Sequence, residues 1–170
     1  GPVGMFMGYD FHLAAQGPRL IEINTNAGGA LLCAALARAQ QSCCEEMDRA
    51  FRPDPSLARL DDTFVAMFVS EWQRQRGSLP MGSIAIVDDH PAAQYLAPEF
   101  ELCRQMLKRH GFDARILAPE ALDWRDGQLV ADGSPVAMVY NRLTDFYLAE
   151  PAHQAEQEAG PHADAARFAN

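Results

Sequence analysis

The sequence predicts an α/β fold in two parts: a β-hairpin followed by helices, then a unit in which strands and helices alternate around a parallel sheet. Three observations carry this. Two strand-like runs flank Gly17-Pro18, with Leu20, Ile21 and Ile23 suited to extended backbone. Alanine- and leucine-rich stretches with helical spacing follow. Beyond the breaker-rich Gly77-Ser-Leu-Pro-Met-Gly82, the short apolar run Ile84-Ala-Ile-Val87 opens a series of strands separated by helical or turn sequence.

In chain order, residues 5–13 read as a strand, 14–18 as a turn and 19–24 as a second strand, together a hairpin. Asn26-Ala-Gly-Gly29 is a loop with backbone freedom. A helix is predicted over 30–50, stopped by Pro53 and Pro55. Asp61 and Asp62 are placed to cap a second helix ending at Arg76, with Phe64, Met67, Phe68 and Trp72 along one side. The second unit has strands at 84–87, 114–117 and 136–140, a helix over 98–110, and turns at Asp126-Gly127 and Asp132-Gly133 around a small hairpin. The resulting division is 1–77, 83–150 and a helix-prone tail over 151–170. Gly1 stands where a methionine would start a chain and leads at once into strand-like sequence, so a piece of a longer protein is expected, with the tail truncated as well.

With 48 % hydrophobic and 22 % charged residues the chain has the composition of a folded globular protein rather than a disordered one. Its 23 acids against 14 bases leave a net charge of -9, which argues against nucleic acid and anionic membranes as partners, because both need a basic face. Lys108 is the single lysine. Cys33, Cys43, Cys44 and Cys103 form neither a C-x-x-C pair nor a secreted-type framework and read as reduced thiols of a cytoplasmic protein. No apolar run reaches membrane-spanning length, and no signal peptide opens the chain.

Side chains two apart on a strand share a face, so Glu22 and Asn24 project together, and Asp10 on the partner strand can join them. Two carboxylates and an amide are an all-oxygen set of the kind Mg²⁺ takes when phosphates and waters complete its octahedron. The same spacing also describes a solvent-facing polar edge of a hairpin. His12, on the face of Asp10, reads either as a phosphate neighbour or as a packed or solvated residue.

Asp10, followed twelve residues on by Glu22-Ile23-Asn24 and then a glycine-containing loop, resembles the end of the ATP-grasp domain of D-alanine ligases, glutathione synthetases and their relatives. The motif covers about 25 residues. The resemblance implies that Asp10, Glu22 and Asn24 hold Mg²⁺ (or Mn²⁺) on the phosphates of ATP, and that Asn26, Gly28 and Gly29 approach substrate. It also implies a carboxylate-amine or carboxylate-thiol ligase working through an acylphosphate, with an amino acid or peptide as the small carboxylate substrate. No general base is implied, and no catalytic residue is assigned.

The order of parts is reversed relative to most of that family. The segment IAIVDDHPAAQYLAPEFELCRQMLKRHGF and the later DGQLVADGSPVAMVYNRLTDFYL look like the Rossmann-like, substrate-side domain of circularly permuted ATP-grasp proteins. Asn141 and Arg142 then stand at a strand's carboxyl end, where open parallel sheets bind ligands. Arg142 suits a substrate carboxylate, or alternatively a bridge to Asp145 or Glu150 that only fixes the loop. Asp88, Asp89 and Glu99 form a second acidic group and can cap the helix that follows.

The glycine-rich lid and the phosphate-gripping lysines of the family cannot be found, so the isolated chain is expected to be an inactive central fragment of an active parent enzyme. IAIVDDHP also resembles the opening of a receiver domain with its acidic Mg²⁺ pocket, but Asn141-Arg142 occupies the strand end where a phosphoacceptor aspartate belongs, and no lysine follows Lys108. A noncatalytic binding domain that keeps the motif without the chemistry is the third reading.

Overall fold

Hydrophobic runs bounded by breakers become strands buried on both faces, while alternating sequence becomes an exposed hairpin. The computed structural model describes residues 4–41, 55–145, 148–159 and 167–169. β1 (Gly8–Ala14) and β2 (Gly17–Asn24) form an antiparallel hairpin whose two-residue turn is closed by Gly17 at φ 109°. The register pairs Asp10 with Glu22 and Phe11 with Leu20, so Ile21 is an extra residue without a cross-strand partner. This bulge moves Leu20 off the face of Glu22 and onto that of Tyr9, Phe11 and Ile23. Simple alternation does not foresee it.

Helix α1 (Ala30–Gln41) fulfils the first part of the helix expected over 30–50; the remainder, including Cys43 and Cys44, lies outside the described residues. A short helix α2 (Pro55–Ala58) precedes α3 (Leu60–Arg76). Asp61 and Asp62 do not cap α3, whose N-cap is Arg59 with no side-chain bond. Asp61 instead receives hydrogen bonds from Arg38 at 2.7 Å and Arg109 at 2.9 Å, which join three helices, and the Asp62 carboxylate lies 3.1 Å from His110. The His110 imidazole is held above its ordinary range by the Met106 carbonyl and by Asp62.

β3 (Ile84–Val87), β4 (Ala114–Leu117), β8 (Met138–Asn141) and β9 (Arg167–Ala169) make a parallel sheet in the order β4-β3-β8-β9. β9 corrects the expectation for the tail, which was read as helix-prone and polar: three residues with one large apolar side chain carry no detectable period. The tail's helical part is a 3-10 turn at Pro151–His153 and a short helix α5 (Gln154–Ala159). Between β4 and β8 lies a meander, β5 (Leu122–Arg125), β6 (Gln128–Ala131) and β7 (Ser134–Pro135). Both expected Asp-Gly turns are present, with φ 51° and 77° at Asp126-Gly127 and 50° and 73° at Asp132-Gly133, the positive pairs that two-residue hairpins require.

Alternation along β3 divides the interior. Ile84 and Ile86 face a core with Phe68 and Trp72 of α3 and with Phe100, Cys103, Met106 and Leu107 of α4 (Ala97–Arg109). Ala85 and Val87, with Val139 of β8, face the meander through Leu122, Leu129 and Ala131. The sheet is therefore sandwiched between helices and a small antiparallel layer. Although Gly77 ends α3, that helix shares its core with β3 across the breaker-rich connection. Phe6, just before the hairpin, packs its ring 5.4 Å from Phe64 and 6.0 Å from Tyr140, so the root of the hairpin is anchored in the same core.

At the entry to α1, Gly29 holds φ 92°. Gly29→Ala is expected to destabilise the fold by about 1 kcal/mol through left-handed backbone strain alone, since a β-carbon there meets no atom within 4 Å. Urea unfolding should show a lower midpoint with an unchanged slope.

Candidate functional site

Beyond the bulge the two strands run in register, which sets Asp10 directly opposite Glu22, with Asn24 two residues on along the same face. The Asn24 amide donates to Glu22 Oε1 at 3.0 Å. All three side chains are exposed, as is His12, which stands across from Arg19. Among the described residues no group of three or more His, Cys, Asp or Glu side chains could hold a metal ion. The hairpin's donor set is two carboxylates and an amide, chemically suited to a hard cation that keeps several of its positions for water or phosphate.

The opposite face of the hairpin carries Tyr9, Phe11, Leu20 and Ile23, each about half exposed. The alternation that presents the polar trio thus also presents an apolar face.

The loop after Asn24 is fixed by Arg142, which is buried at the carboxyl end of β8. Arg142 Nη1 donates to Asn26 Oδ1, to the Ala27 carbonyl at 3.1 Å and to the Tyr140 hydroxyl at 3.3 Å, and its guanidinium carbon lies 5.3 Å from the centre of the Tyr140 ring. The Asn26 amide donates to the Leu143 carbonyl at 3.4 Å. A β-carbon on Gly28 would lie 2.4 Å from Leu96 Cδ1, 3.1 Å from Arg142 Nη2 and 3.4 Å from Glu99 Oε2, so the absence of a side chain is what allows this close approach. Asn141 turns inward, its Oδ1 accepting the Leu143 N–H at 2.9 Å. Of the five residues expected to face substrate, Asn26, Gly28 and Arg142 meet directly, Gly29 joins them through Glu99, and Asn141 shapes the turn after β8.

Two expectations are corrected here. Arg142 bridges to the Asn26 loop and to Tyr140, while Asp145 is engaged by His153. Glu99 does not cap its own helix: its carboxylate accepts the Gly29 N–H at 2.5 Å and the Leu31 N–H at 3.0 Å, closing the amino terminus of α1 from a neighbouring helix. A signal for this was available, because Glu99 precedes Cys103 by four residues and so lies on the stripe that buries Phe100, Cys103, Met106 and Leu107. A carboxylate on a buried stripe requires donors from another element.

Asp88 ends β3 at the same sheet edge. Burial raises its carboxyl above the ordinary range, against the hydrogen bond from the Asp89 N–H and the pull of Arg142. Below it, Cys103 is pushed up to about 12 by burial, so this thiol is inert packing.

A second feature lies just beyond the carboxyl ends of β3 and β8. An open cleft of about 480 Å³ is lined by Asp89, Thr144, Asp145, Glu150, Ala152 and His153. The His153 ring is almost completely buried, with Nδ1 2.8 Å from Asp145 Oδ2 and Nε2 3.1 Å from Asp89 Oδ1. Sequence reasoning missed it, because the two aspartates stand 64 and 8 residues away.

The fold and site together define a mixed α/β protein with a parallel sheet and an antiparallel hairpin. In comparison with known proteins, no family model matches the chain, and no curated protein matches it in sequence. No helix among the described residues is long and apolar enough to cross a membrane.

Proposed function

We propose that the chain is the central part of a circularly permuted ATP-grasp ligase, glutathione synthetase-like, in which the end of the grasp domain precedes a Rossmann-like domain on the substrate side. The supporting observation is a continuous path: Asp10 opposite Glu22, Asn24 on the same face, then the Asn26–Gly29 loop seated on Arg142 at a strand's carboxyl end. Asp10, Glu22 and Asn24 would hold Mg²⁺ or Mn²⁺, which when bound clamps ATP phosphates and offsets their charge during phosphoryl transfer to a substrate carboxylate. Arg142 positions the loop that bears Gly28 and Gly29, so it acts on substrate by holding that backbone in place. The substrate class is a small amino acid or peptide carboxylate, joined to an amine or thiol in the cytoplasm.

Lys108, the sole lysine, is exposed on α4, so phosphate-gripping lysines must come from elsewhere in the parent protein, and the isolated chain is expected not to turn over. The deciding experiment uses the full-length parent. Mg²⁺ with ATP should protect it against thermal unfolding, and Glu22→Ala should weaken nucleotide affinity in Mg²⁺ by about tenfold or more while leaving the melting temperature without nucleotide unchanged. Equal protection of Glu22→Ala and the unmodified protein would overturn the metal assignment.

A further inference from the structure

We propose that His153 is a two-proton latch: as an imidazolium it ties the segment carrying α5 to the carboxyl ends of β3 and β8, and loss of a proton frees that segment and opens the cleft beside it. This inference is independent of the ligase reading.

The geometry argues for it directly. Nδ1 faces Asp145 and Nε2 faces Asp89, and both carboxylates only accept hydrogen bonds. A neutral imidazole has one N–H and one lone pair, so it satisfies one aspartate and turns a lone pair on the other. Only the doubly protonated ring donates to both. Asp89 follows β3 and Asp145 follows β8, so the charged ring staples two strand ends to the 3-10 turn that starts α5. Asp145 also accepts the Glu150 N–H at 2.9 Å, which gathers the same segment onto one carboxylate.

Strain on either side gives the latch something to release. His90 at φ 43° follows Asp89, and Leu148 at φ 51° lies between Asp145 and the 3-10 turn. Non-glycine residues persist in this region only when their surroundings hold them there.

A second proton reinforces the first. Glu156 on α5 is fully buried, and among the described residues no other residue hydrogen-bonds its carboxyl oxygens. Burial pushes it up to about 7, against a hydrogen bond from its own backbone N–H and the pull of His153, with Asp89 and Glu120 adding repulsion. For His153, burial alone would lower the ring's proton affinity, but the hydrogen bonds to Asp89 and Asp145 outweigh burial and raise it. Among the described residues the groups around this pair are Asp89 after β3, Asp145 and Glu150 after β8, and Glu120 in the turn before β5.

The signs agree. Glu156 keeps a proton when folded that it loses when unfolded, so its contribution falls with rising pH between its ordinary 4.5 and about 7. His153 is raised as well, so its contribution is complete below its ordinary 6.5 and declines as pH passes upward through the raised value. Both protons hold the latch at mildly acidic pH and leave it at alkaline pH.

The test is amide hydrogen exchange of the whole chain at pH 6 and pH 8.5, corrected for intrinsic exchange, with β3 amides as the internal standard. Protection of amides 154–159 relative to β3 should fall by about tenfold or more at the higher pH, since each pKa unit of preference corresponds to a factor of ten. His153→Gln and Glu156→Gln should each flatten this dependence, and the combined variant should abolish it while β3 stays protected. A ring titration of His153 by NMR below its ordinary value, equal relative protection at both pH values, or an undiminished dependence in the combined variant would each overturn the latch.

Discussion

Arg142→Met is expected to lower the unfolding free energy by about 3 kcal/mol at neutral pH, a loss set by stranded acceptors rather than by lost volume. Methionine keeps much of the side-chain stem but deletes the donors to Asn26 Oδ1, the Ala27 carbonyl and the Tyr140 hydroxyl. It also removes the positive charge that partly offsets the cost of burying ionised Asp88. That carboxyl is already raised in the folded state, chiefly by burial, so its ionisation opposes folding above its ordinary value of 3.8. Without Arg142 the opposition grows. The penalty of the variant should therefore be larger at pH 7 than at pH 4, where Asp88 is substantially protonated. Urea titrations at the two pH values check this, and a penalty equal at both would show that the Arg142 charge does not reach Asp88. The same variant should speed proteolytic cleavage of the Asn26–Gly29 loop, because the loop's hold on β8 runs largely through this side chain.

Much of the architecture could be read in the sequence because single residues enforce it. Ile84–Val87 lies between Ser83 and Asp88 and is entirely apolar, which leaves a buried central strand as its natural state, and its limits were foreseen to the residue. The two Asp-Gly pairs dictate two tight turns. The helix over Ala97–Arg109 announces itself by the spacing of Phe100, Cys103, Met106 and Leu107. What escaped is what depends on distant partners or on a break in pattern. The bulge at Ile21 changes which face Leu20 occupies, and no local preference distinguishes it from regular alternation. β9 owes its existence to the exposed edge of β8 rather than to its own three residues. At the candidate site, strand period alone puts Glu22 and Asn24 on one face, whereas Asp10 joins them only through the bulge, since the register set by the turn would otherwise place it opposite Ile21. The roles of Glu99 and His153 were not legible, since each is defined by donors or acceptors on other elements.

The second large effect is expected at Glu99. Glu99→Ala should destabilise the protein by about 3 kcal/mol, more than an ordinary exposed cap, because the two N–H groups it leaves, on Gly29 and Leu31, lie in a partly or fully buried setting where water replaces the carboxylate poorly. Glu99→Gln keeps one acceptor oxygen and nearly the same volume, so about half of that loss should return. The contrast separates the cap from packing: if Gln and Ala were equally harmful, the negative charge at the start of α1 would be the dominant contribution, and if Gln were neutral, the charge would contribute nothing. Glu99 and Arg142 grip one loop from opposite ends, through Gly29 and through Asn26 with Ala27. Once either grip is lost, the loop has less left to lose when the second goes. The Glu99→Ala, Arg142→Met pair should accordingly cost less than the sum of the single changes by about 1 kcal/mol. Strict additivity in that cycle would mean that the Asn26–Gly29 loop does not move as a unit, and would remove the mechanical link by which a helix cap on α4 sets the position of the loop that follows the hairpin carboxylates.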